Sequence, residues 1–442
     1  MSNAERRYRL GPLERRGLVA GWRAGQIAVV AVACALAGAV VAVSIGSLAL
    51  VAAVALVGAG VAAATIPVSG RALDEWIPSL AAFAVGRRRR SLLACQILDA
   101  GAHGGRAGVG VILQRSGALS VTVALDSSGI SLLEGEAKDR RVEGLVAALG
   151  ALAREGCLVD RVAWSSSAAP DPGVGLVRDA RRRGARGVAM AVTSYRTLLG
   201  AAIPHGLERR VCLTLRTSPI RASAQRRAGV IAALLDEASV VAQALEDAGH
   251  RRCRLLSPSE LAEHLGADDV EPDGHLEVAG TMRFAHLEVA DQLVVSWWVA
   301  EWPRTEVTAE LLAPLLLGGV ARAMAVIFEP VAPSAALRKA ATARTSEIAD
   351  AEIRRRGGFL ADRRQQRQHE HTAARETELV DGHGSLRMSG YVTVTARNGE
   401  ELDRMVVETE LAAAQSRLVL RRLDGDHARG FLATRPLGGG LP

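Results

Sequence analysis

The chain has 442 residues and a formal net charge of +7, and its positive side is almost entirely arginine because the lysines are Lys138 and Lys339. This length allows two or three domains beyond any membrane segment. An arginine bias of this kind reflects genome composition and identifies no function. The five cysteines, scattered without a Cys-x-x-Cys pair, argue against a disulfide framework and a zinc site and are typical of a reducing cytoplasm.

A long apolar stretch near the amino terminus, from Ile27 to Pro67, contains no charged residue. It divides into Ile27–Val43 (17 residues) and Leu48–Ile66 (19 residues), with four uncharged residues between them. A helix that crosses a bilayer needs about 20 apolar residues, with a lower limit near 17. The stretch therefore predicts a transmembrane helical hairpin over residues 26–67. A cleaved secretion signal would have a shorter apolar core, and a soluble core hairpin would show a polar stripe.

The flanks of the hairpin predict its orientation. Arginines precede the first segment and follow the second, while the connection has no charge. Arginine is retained on the cytoplasmic side, so the chain is predicted to be a multi-pass protein of the cell (inner) membrane with both termini cytoplasmic. The predicted interface anchors, which would contact anionic lipid headgroups, are Trp22, Arg23, Arg71, Trp76, Arg87, Arg88, Arg89 and Arg90. The glycines predicted to let the two helices pack closely are Gly38, Gly46, Gly58 and Gly60.

The remaining chain is predicted to be cytoplasmic and α+β. A basic segment (1–25) precedes the hairpin, and a juxtamembrane linker (68–107) follows it. Strands such as "LSVTVAL" and "LERRVCLTLRT", with a helix over about 223–248, indicate a first α+β domain over 108–265. The acidic, turn-rich "GADDVEPDGH" is a predicted boundary, and a second α+β domain would occupy 276–438.

The second domain has the clearest local pattern near its end. "LRMSGYVTVTAR" alternates apolar and polar residues, Asn398 stands three residues before Glu401 as in a helix cap, and "SRLVLRRL" supplies a closing strand. The predicted element order is strand, helix, strand, strand, helix, strand. This order predicts a split β-α-β, ferredoxin-like domain.

The motifs of catalysis and metal binding are missing from the sequence. A phosphate-binding Walker loop needs Ser or Thr after its lysine, but Asp139 follows Lys138 and Ala340 follows Lys339. His369 and His371 lie two positions apart, so on a helix their imidazoles would point in different directions. We expect a solvated helix face there, and we predict no catalytic residue, no cofactor and no metal. The chain is therefore predicted not to be an enzyme.

Two further patterns have more than one interpretation. "SWWVAEW" is predicted to pack in the core, although tryptophans can also stack on bases. The arginine clusters are either solvated faces or docking surfaces, and they are Arg178, Arg181, Arg182, Arg183, Arg186, Arg226 and Arg227. Nucleic-acid binding through these arginines is possible but not favoured.

Residues 280 to 438 resemble the amino-terminal, non-motor region of the traffic ATPases of type IV (conjugative) secretion. The resemblance rests on "LVVSWWVAEWP", "AVIFEPVAPSAALRKA", "GYVTVTARNGEELDRMVVETE" and "GFLATRPLG" in that order. The residues that match the family's motifs are Trp302 and Pro303 at the end of the hairpin, and Pro436, Leu437 and Gly438 at the final step. Unlike the family, this sequence ends four residues after that step, where the motor would begin.

The whole sequence is similar to actinobacterial membrane proteins of conjugative, type IV-like transfer clusters, in which a small two-span subunit can be joined to such a region. This resemblance implies a non-catalytic membrane scaffold that oligomerises with itself and docks a separate secretion ATPase and other apparatus subunits. The first alternative is the E component of type VII secretion, which also has an amino-terminal two-span hairpin and a cytoplasmic domain. The second is a membrane-tethered nucleic-acid-binding protein.

Overall fold

The charge-free stretch folds into two antiparallel helices, α1 (Ala24–Val43) and α2 (Ser47–Thr65). The computed structural model describes residues 8, 24–43, 46–65, 80, 83, 90–101, 108–125, 133–171, 173, 177–178, 182, 189–203, 206–218, 224–266, 274–303, 305–342, 345 and 384–439. Alanines such as Ala33, Ala37 and Ala53 are buried between the helices, while larger side chains such as Leu36 and Leu48 point outward. Small residues inside and large apolar residues outside are typical of helices that pack within lipid.

The part of the chain after the hairpin folds into strands, with helices between them. The strands are β1 (Arg90–Asp99), β2 (Gly110–Gln114), β3 (Leu119–Leu125), β4 (Val159–Pro170), β5 (Leu207–Thr217), β6 (Arg254–Leu255), β7 (His275–Met282), β8 (Leu287–Val289), β9 (Gln292–Glu301), β10 (Arg322–Val331), β11 (Ser385–Ala396) and β12 (Val419–Arg422). The helices are α3 (Gly135–Ala151), α4 (Ala189–Ala202), α5 (Ala224–Asp247), α6 (Pro258–Leu265), α7 (Ala313–Leu317), α8 (Gly399–Gln415) and α9 (His427–Ala433).

Ten of these strands close into an antiparallel barrel. Around the ring the order is β11, β10, β4, β5, β3, β2, β1, β7, β8 and β9, and β9 pairs with β11 to complete it. At the closure Tyr391 lies opposite Trp298, and Ala396 lies opposite Leu293. The short β6 and β12 pair with β3 and β9 beside the ring.

The closed barrel shows that the predicted ferredoxin-like fold class is wrong. The local elements are as predicted at several places: β5 and β11 are strands, and the backbone N–H of Glu401 donates to Oδ1 of Asn398 at 2.9 Å to cap α8. Their partners are not those of a separate split β-α-β unit. β4 pairs with β10, so the segments predicted as two α+β domains share one sheet. β1, which lies in the segment predicted as a linker, joins the same sheet by pairing with β7.

Both faces of the barrel wall are covered, because successive side chains of a strand point to opposite sides. Val121 and Leu213 point outward into a core beneath α3 and α5. Trp297 and Val326 point outward into a second core beneath α7 and α8. The inner face carries small and polar side chains beside larger ones such as Ile97, Ile112 and Tyr391. The buried polar residues of this face include Ser120, Thr122, Thr214, Ser296 and Thr393.

Candidate functional site

The helical hairpin is the first candidate site, as a membrane anchor. Among the described residues, Gly25–Val43 and Arg226–Asp247 are long and apolar enough to cross a membrane, and α2 contains a shorter apolar stretch, Ser47–Ala62. Helix α5, which contains the second of these segments, instead covers the barrel, since Leu234 and Leu245 are fully buried in the core beneath it. The pair α1 and α2 has no such cover over its outward-facing leucines and valines.

The four predicted packing glycines lie in different surroundings. A Cβ on Gly60 would stand 2.4 Å from Cβ of Ala33, so this glycine lies where the two helices touch. A Cβ on Gly38, Gly46 or Gly58 would meet no atom within 4 Å. At the base of the hairpin, Nε2 of Gln26 donates to the carbonyl oxygen of Ala64 at 2.7 Å.

Most of the predicted interface anchors lie outside the residues that the structure describes. These are Trp22, Arg23, Arg71, Trp76, Arg87, Arg88 and Arg89. Arg90 is the first residue of β1, where its backbone pairs with Gly280 of β7.

The interior of the barrel is the second candidate site, and the chain's own carboxy-terminal segment occupies it beside α6. We call residues 423–439, with α9 at their centre, the C-terminal plug. Ala433 lies in one buried cluster with Ala163, Ile327 and Tyr391 of three different strands. Leu437 lies in another buried cluster with Cys95, Ile97, Ile112 and Cys212. Because these neighbours come from strands all around the ring, the plug lies inside the barrel.

Polar contacts hold the end of the plug. Nε2 of Gln114 donates to the carbonyl oxygen of Leu437 at 2.7 Å, and a guanidinium N–H of Arg216 donates to that of Gly438 at 3.3 Å. Arg435 donates to the carbonyl oxygen of His264 at 3.3 Å and stacks over the Phe431 ring. The structure thus places the motif residues Pro436, Leu437 and Gly438 inside the barrel.

One histidine of the plug is fully buried. The backbone N–H of Ser296 donates to Nδ1 of His427 at 3.2 Å. A ring nitrogen that accepts a hydrogen bond is unprotonated, so the neutral ring carries its proton on Nε2. Burial, together with the positive charge of Arg422, lowers the pKa of His427 to about 3. The ring therefore stays uncharged at neutral pH and serves as a hydrogen-bond acceptor.

A charged cleft of about 350 Å³ lies where β4 begins and β10 ends. Glu329 accepts from Arg161 at 3.1 Å and from Arg387 at 3.2 Å, and Lys339 lines the same cleft. Burial raises the pKa of Asp160. The described lining residues include no serine, cysteine or histidine, so the contacts seen in this cleft are ion pairs.

The part of the chain that the structure describes shows neither a cluster of metal ligands nor an activated thiol. Within it, no three or more His, Cys, Asp or Glu residues come close enough to hold a metal ion. The sequence positions His369, Glu370 and His371 lie outside it. Burial raises the pKa of Cys95 to about 11 and that of Cys212 to about 12, so both remain protonated thiols at neutral pH.

The tryptophans of "SWWVAEW" pack in the core, as predicted. Trp297 is fully buried, and Trp298 and Trp302 are nearly so. Nε1 of Trp297 donates to Oε1 of Glu410 at 3.2 Å. A Cβ on Gly390 would come within 2.8 Å of the Trp302 ring, so the predicted motif residue Trp302, followed by Pro303, fills space beside β11.

The sequence patterns missed the C-terminal plug. Helix α9 spans His427–Ala433, which is too short to show an apolar period. The tight approach of Gly430 to Ser296 depends on residues far apart in the chain. Comparison with known proteins adds no further assignment: no protein-family model matches this chain, and no curated protein matches it in sequence.

Proposed function

We propose that this chain is a membrane-anchored, non-catalytic scaffold subunit of a multi-protein secretion apparatus. The hairpin α1–α2 would hold it in the cell membrane with both termini in the cytoplasm. The barrel would then provide outer surfaces for a separate ATPase, for other apparatus subunits and for further copies of the chain.

The observation that carries this proposal is the pairing of an exposed apolar hairpin with a barrel whose interior is filled. Leu48 and Val43 are about 85% exposed although they lie on apolar helices, and apolar surface of this kind is stable in lipid. The plug residues Leu437 and Ala433 occupy the space where many barrels bind a ligand. A filled barrel supports a role in assembly more than one in small-molecule chemistry.

Two kinds of secretion apparatus are candidates for this subunit. The resemblance to type IV secretion ATPases covers residues 280–438, and the strands after position 265, from β7 to β11, form one unbroken half of the ring, while β1 to β5 form the other half. We propose a type IV-like conjugative subunit first, on the sequence motifs of residues 280–438, and a type VII-like subunit second.

Co-purification from the native host tests the proposal. The full-length chain, tagged at its amino terminus to leave the plug intact, would be extracted from membranes in mild detergent. An unrelated two-span protein with the same tag is the matched control. We expect a secretion ATPase and channel subunits with the chain and not with the control. Recovery of the chain alone would contradict the proposal.

The same experiment separates the two kinds of apparatus. Recovery with components encoded near a mycosin protease and small secreted helical proteins would assign the chain to a type VII-like system. Recovery with a conjugation ATPase encoded near a relaxase would assign it to a type IV-like system.

A further inference from the structure

Helix α4 (Ala189–Ala202) is an apolar helix that the barrel leaves uncovered. Its sequence, AMAVTSYRTLLGAA, has one charged residue, Arg196. Met190 is 82% exposed, Leu198 is 65% exposed and Tyr195 is 42% exposed. Isolated exposed leucines are common on protein surfaces, but an apolar helix exposed along its length marks an interaction site.

The chain beside this helix is strongly basic. Between positions 172 and 207 the sequence has one acidic residue, Asp179, and six arginines. The arginines are Arg178, Arg181, Arg182, Arg183, Arg186 and Arg196. Arg178 and Arg182 belong to the described part of the chain, and both are exposed. A partner surface that complements this segment is therefore apolar at its centre and negatively charged at its edge.

The position of α4 in the barrel favours a protein over the membrane as this partner. Helix α4 connects the end of β4 to the start of β5, where Pro170 pairs with Leu207. β5 pairs with β3, β3 with β2, and β2 with β1. These pairings place the last residue of β1, Asp99, opposite Gly110 at the same end of the barrel as α4. The hairpin is joined to the opposite end of the barrel, where β1 begins.

The amino-terminal side of the hairpin is attached at that opposite end too. Tyr8 pairs with Val307, shortly after β9 ends at Glu301. Both connections to the hairpin thus meet the barrel at one end, and α4 extends from the other. This placement, at the end opposite both connections to the hairpin, favours a protein partner over the bilayer.

We propose that α4 and its arginines form a docking helix that inserts into an apolar groove, lined at its rim by aspartate or glutamate, on another protein subunit. This inference deepens the proposed function, because it rests on the chain being part of an assembly and names the surface that a partner would occupy. Helix-in-groove binding uses one apolar helix face as its anchor, and Met190 and Leu198 supply that anchor here.

Site-specific photo-crosslinking in the native host tests this surface with the full-length chain. A photoreactive residue would replace Met190, Leu198 or, as a matched control, Val240, which is 66% exposed on α5. We expect a protein adduct from positions 190 and 198 that is at least about tenfold stronger than that from position 240. Mass spectrometry should map it to an apolar surface with carboxylates at its edge.

Charge reversal provides the second arm. The R178E and R182E double substitution should abolish the adduct, and exchange of the partner's mapped carboxylates for arginine should restore it. The inference would be overturned by adducts to lipid alone, by adducts to a second copy alone, by no adduct at either position, or by a partner surface without carboxylates.

The outcomes distinguish this inference from the proposed function. If the apparatus co-purifies equally with the wild-type chain and with the M190D and L198D double variant, the docking helix is wrong and the scaffold proposal stands. If the adduct identifies an acidic, grooved protein that belongs to no secretion system, the docking helix stands and the scaffold proposal fails. Because both side chains are exposed, the double variant should fold as the V240D control does.

Discussion

The backbone N–H of Ser296, in the barrel wall, donates a hydrogen bond to Nδ1 of His427, in the C-terminal plug, across 131 residues of sequence. Both residues are fully buried. The side chain of Ser296 is also 3.0 Å from the hydroxyl of Thr393 on the neighbouring strand. The Ser296–His427 hydrogen bond therefore joins the plug to the pair of strands, β9 and β11, that closes the barrel.

The contact predicts that acid weakens the barrel. The pKa of His427 is lowered from its usual 6.5 to about 3, so between these values the unfolded chain binds a proton that the folded chain does not. Stability from this group is complete above pH 6.5 and is lost as the pH falls toward 3. The loss approaches about 1.4 kcal/mol per pH unit within that window.

The H427N variant separates this effect from the titration of carboxylates. Its amide oxygen can accept from Ser296 as Nδ1 does, but the amide does not titrate. Thermal midpoints of the full-length chain in detergent should fall less between pH 6 and pH 4 in H427N than in the wild type. Parallel pH profiles for the two proteins would show that His427 is not the titrating group.

A substitution at Gly430 tests how tightly the plug fits inside the barrel. A Cβ there would stand 2.4 Å from Cβ of Ser296 and 3.0 Å from Cδ1 of Leu423. G430A should therefore push α9 away from β9 and lower the free energy of unfolding by about 1–3 kcal/mol. G229A adds the same methyl group to α5, where nothing lies within 4 Å, and should raise it by about 0.5–1 kcal/mol. Chemical denaturation measures both, and a neutral G430A would mean that α9 has room to move.

Local patterns in the sequence were sufficient to predict many elements. The charge-free stretch predicted α1 and α2, the alternation in "LERRVCLTLRT" predicted β5, and Asn398 predicted the start of α8. Each of these signals depends on neighbours within a turn or two of chain, such as a cap, an apolar run or a period of two. The burial of Trp297 was predicted in the same way, from its place in an alternating strand.

The barrel itself could not be predicted from those signals. Its closure depends on pairs such as Ser91 with Ala279 and Val326 with Trp164, which are distant in sequence. Alternation shows which side chains of a strand are buried, but not which strand lies beside it. The inner face has small residues such as Ser120 and Thr214 because the plug occupies the space, and serine and threonine alone do not indicate a buried wall.

A substitution at Leu437 tests how much the end of the plug contributes to the stability of the folded chain. It is 3% exposed among Ile97, Ile112 and Leu276, so L437A would leave a cavity and lower the free energy of unfolding by about 2–5 kcal/mol. V419A trims a residue that is 52% exposed on β12, and its effect should stay within about 0.5 kcal/mol. Equal unfolding midpoints for the two variants in denaturant would place Leu437 outside the cooperative core.

The helical hairpin makes a prediction that does not depend on the barrel. G60L places a large side chain where Cβ alone would be 2.4 Å from Ala33, whereas G58L adds the same apolar side chain where nothing lies within 4 Å. Both changes make the hairpin more apolar, so membrane insertion should be preserved in both. Helix packing should be weakened in G60L alone, by about 1–3 kcal/mol. Membrane fractionation checks insertion, and thermal unfolding of the purified chain in detergent checks packing. Equal destabilisation by the two variants would contradict the close approach at Gly60, and loss of either protein to the soluble fraction would contradict the anchor.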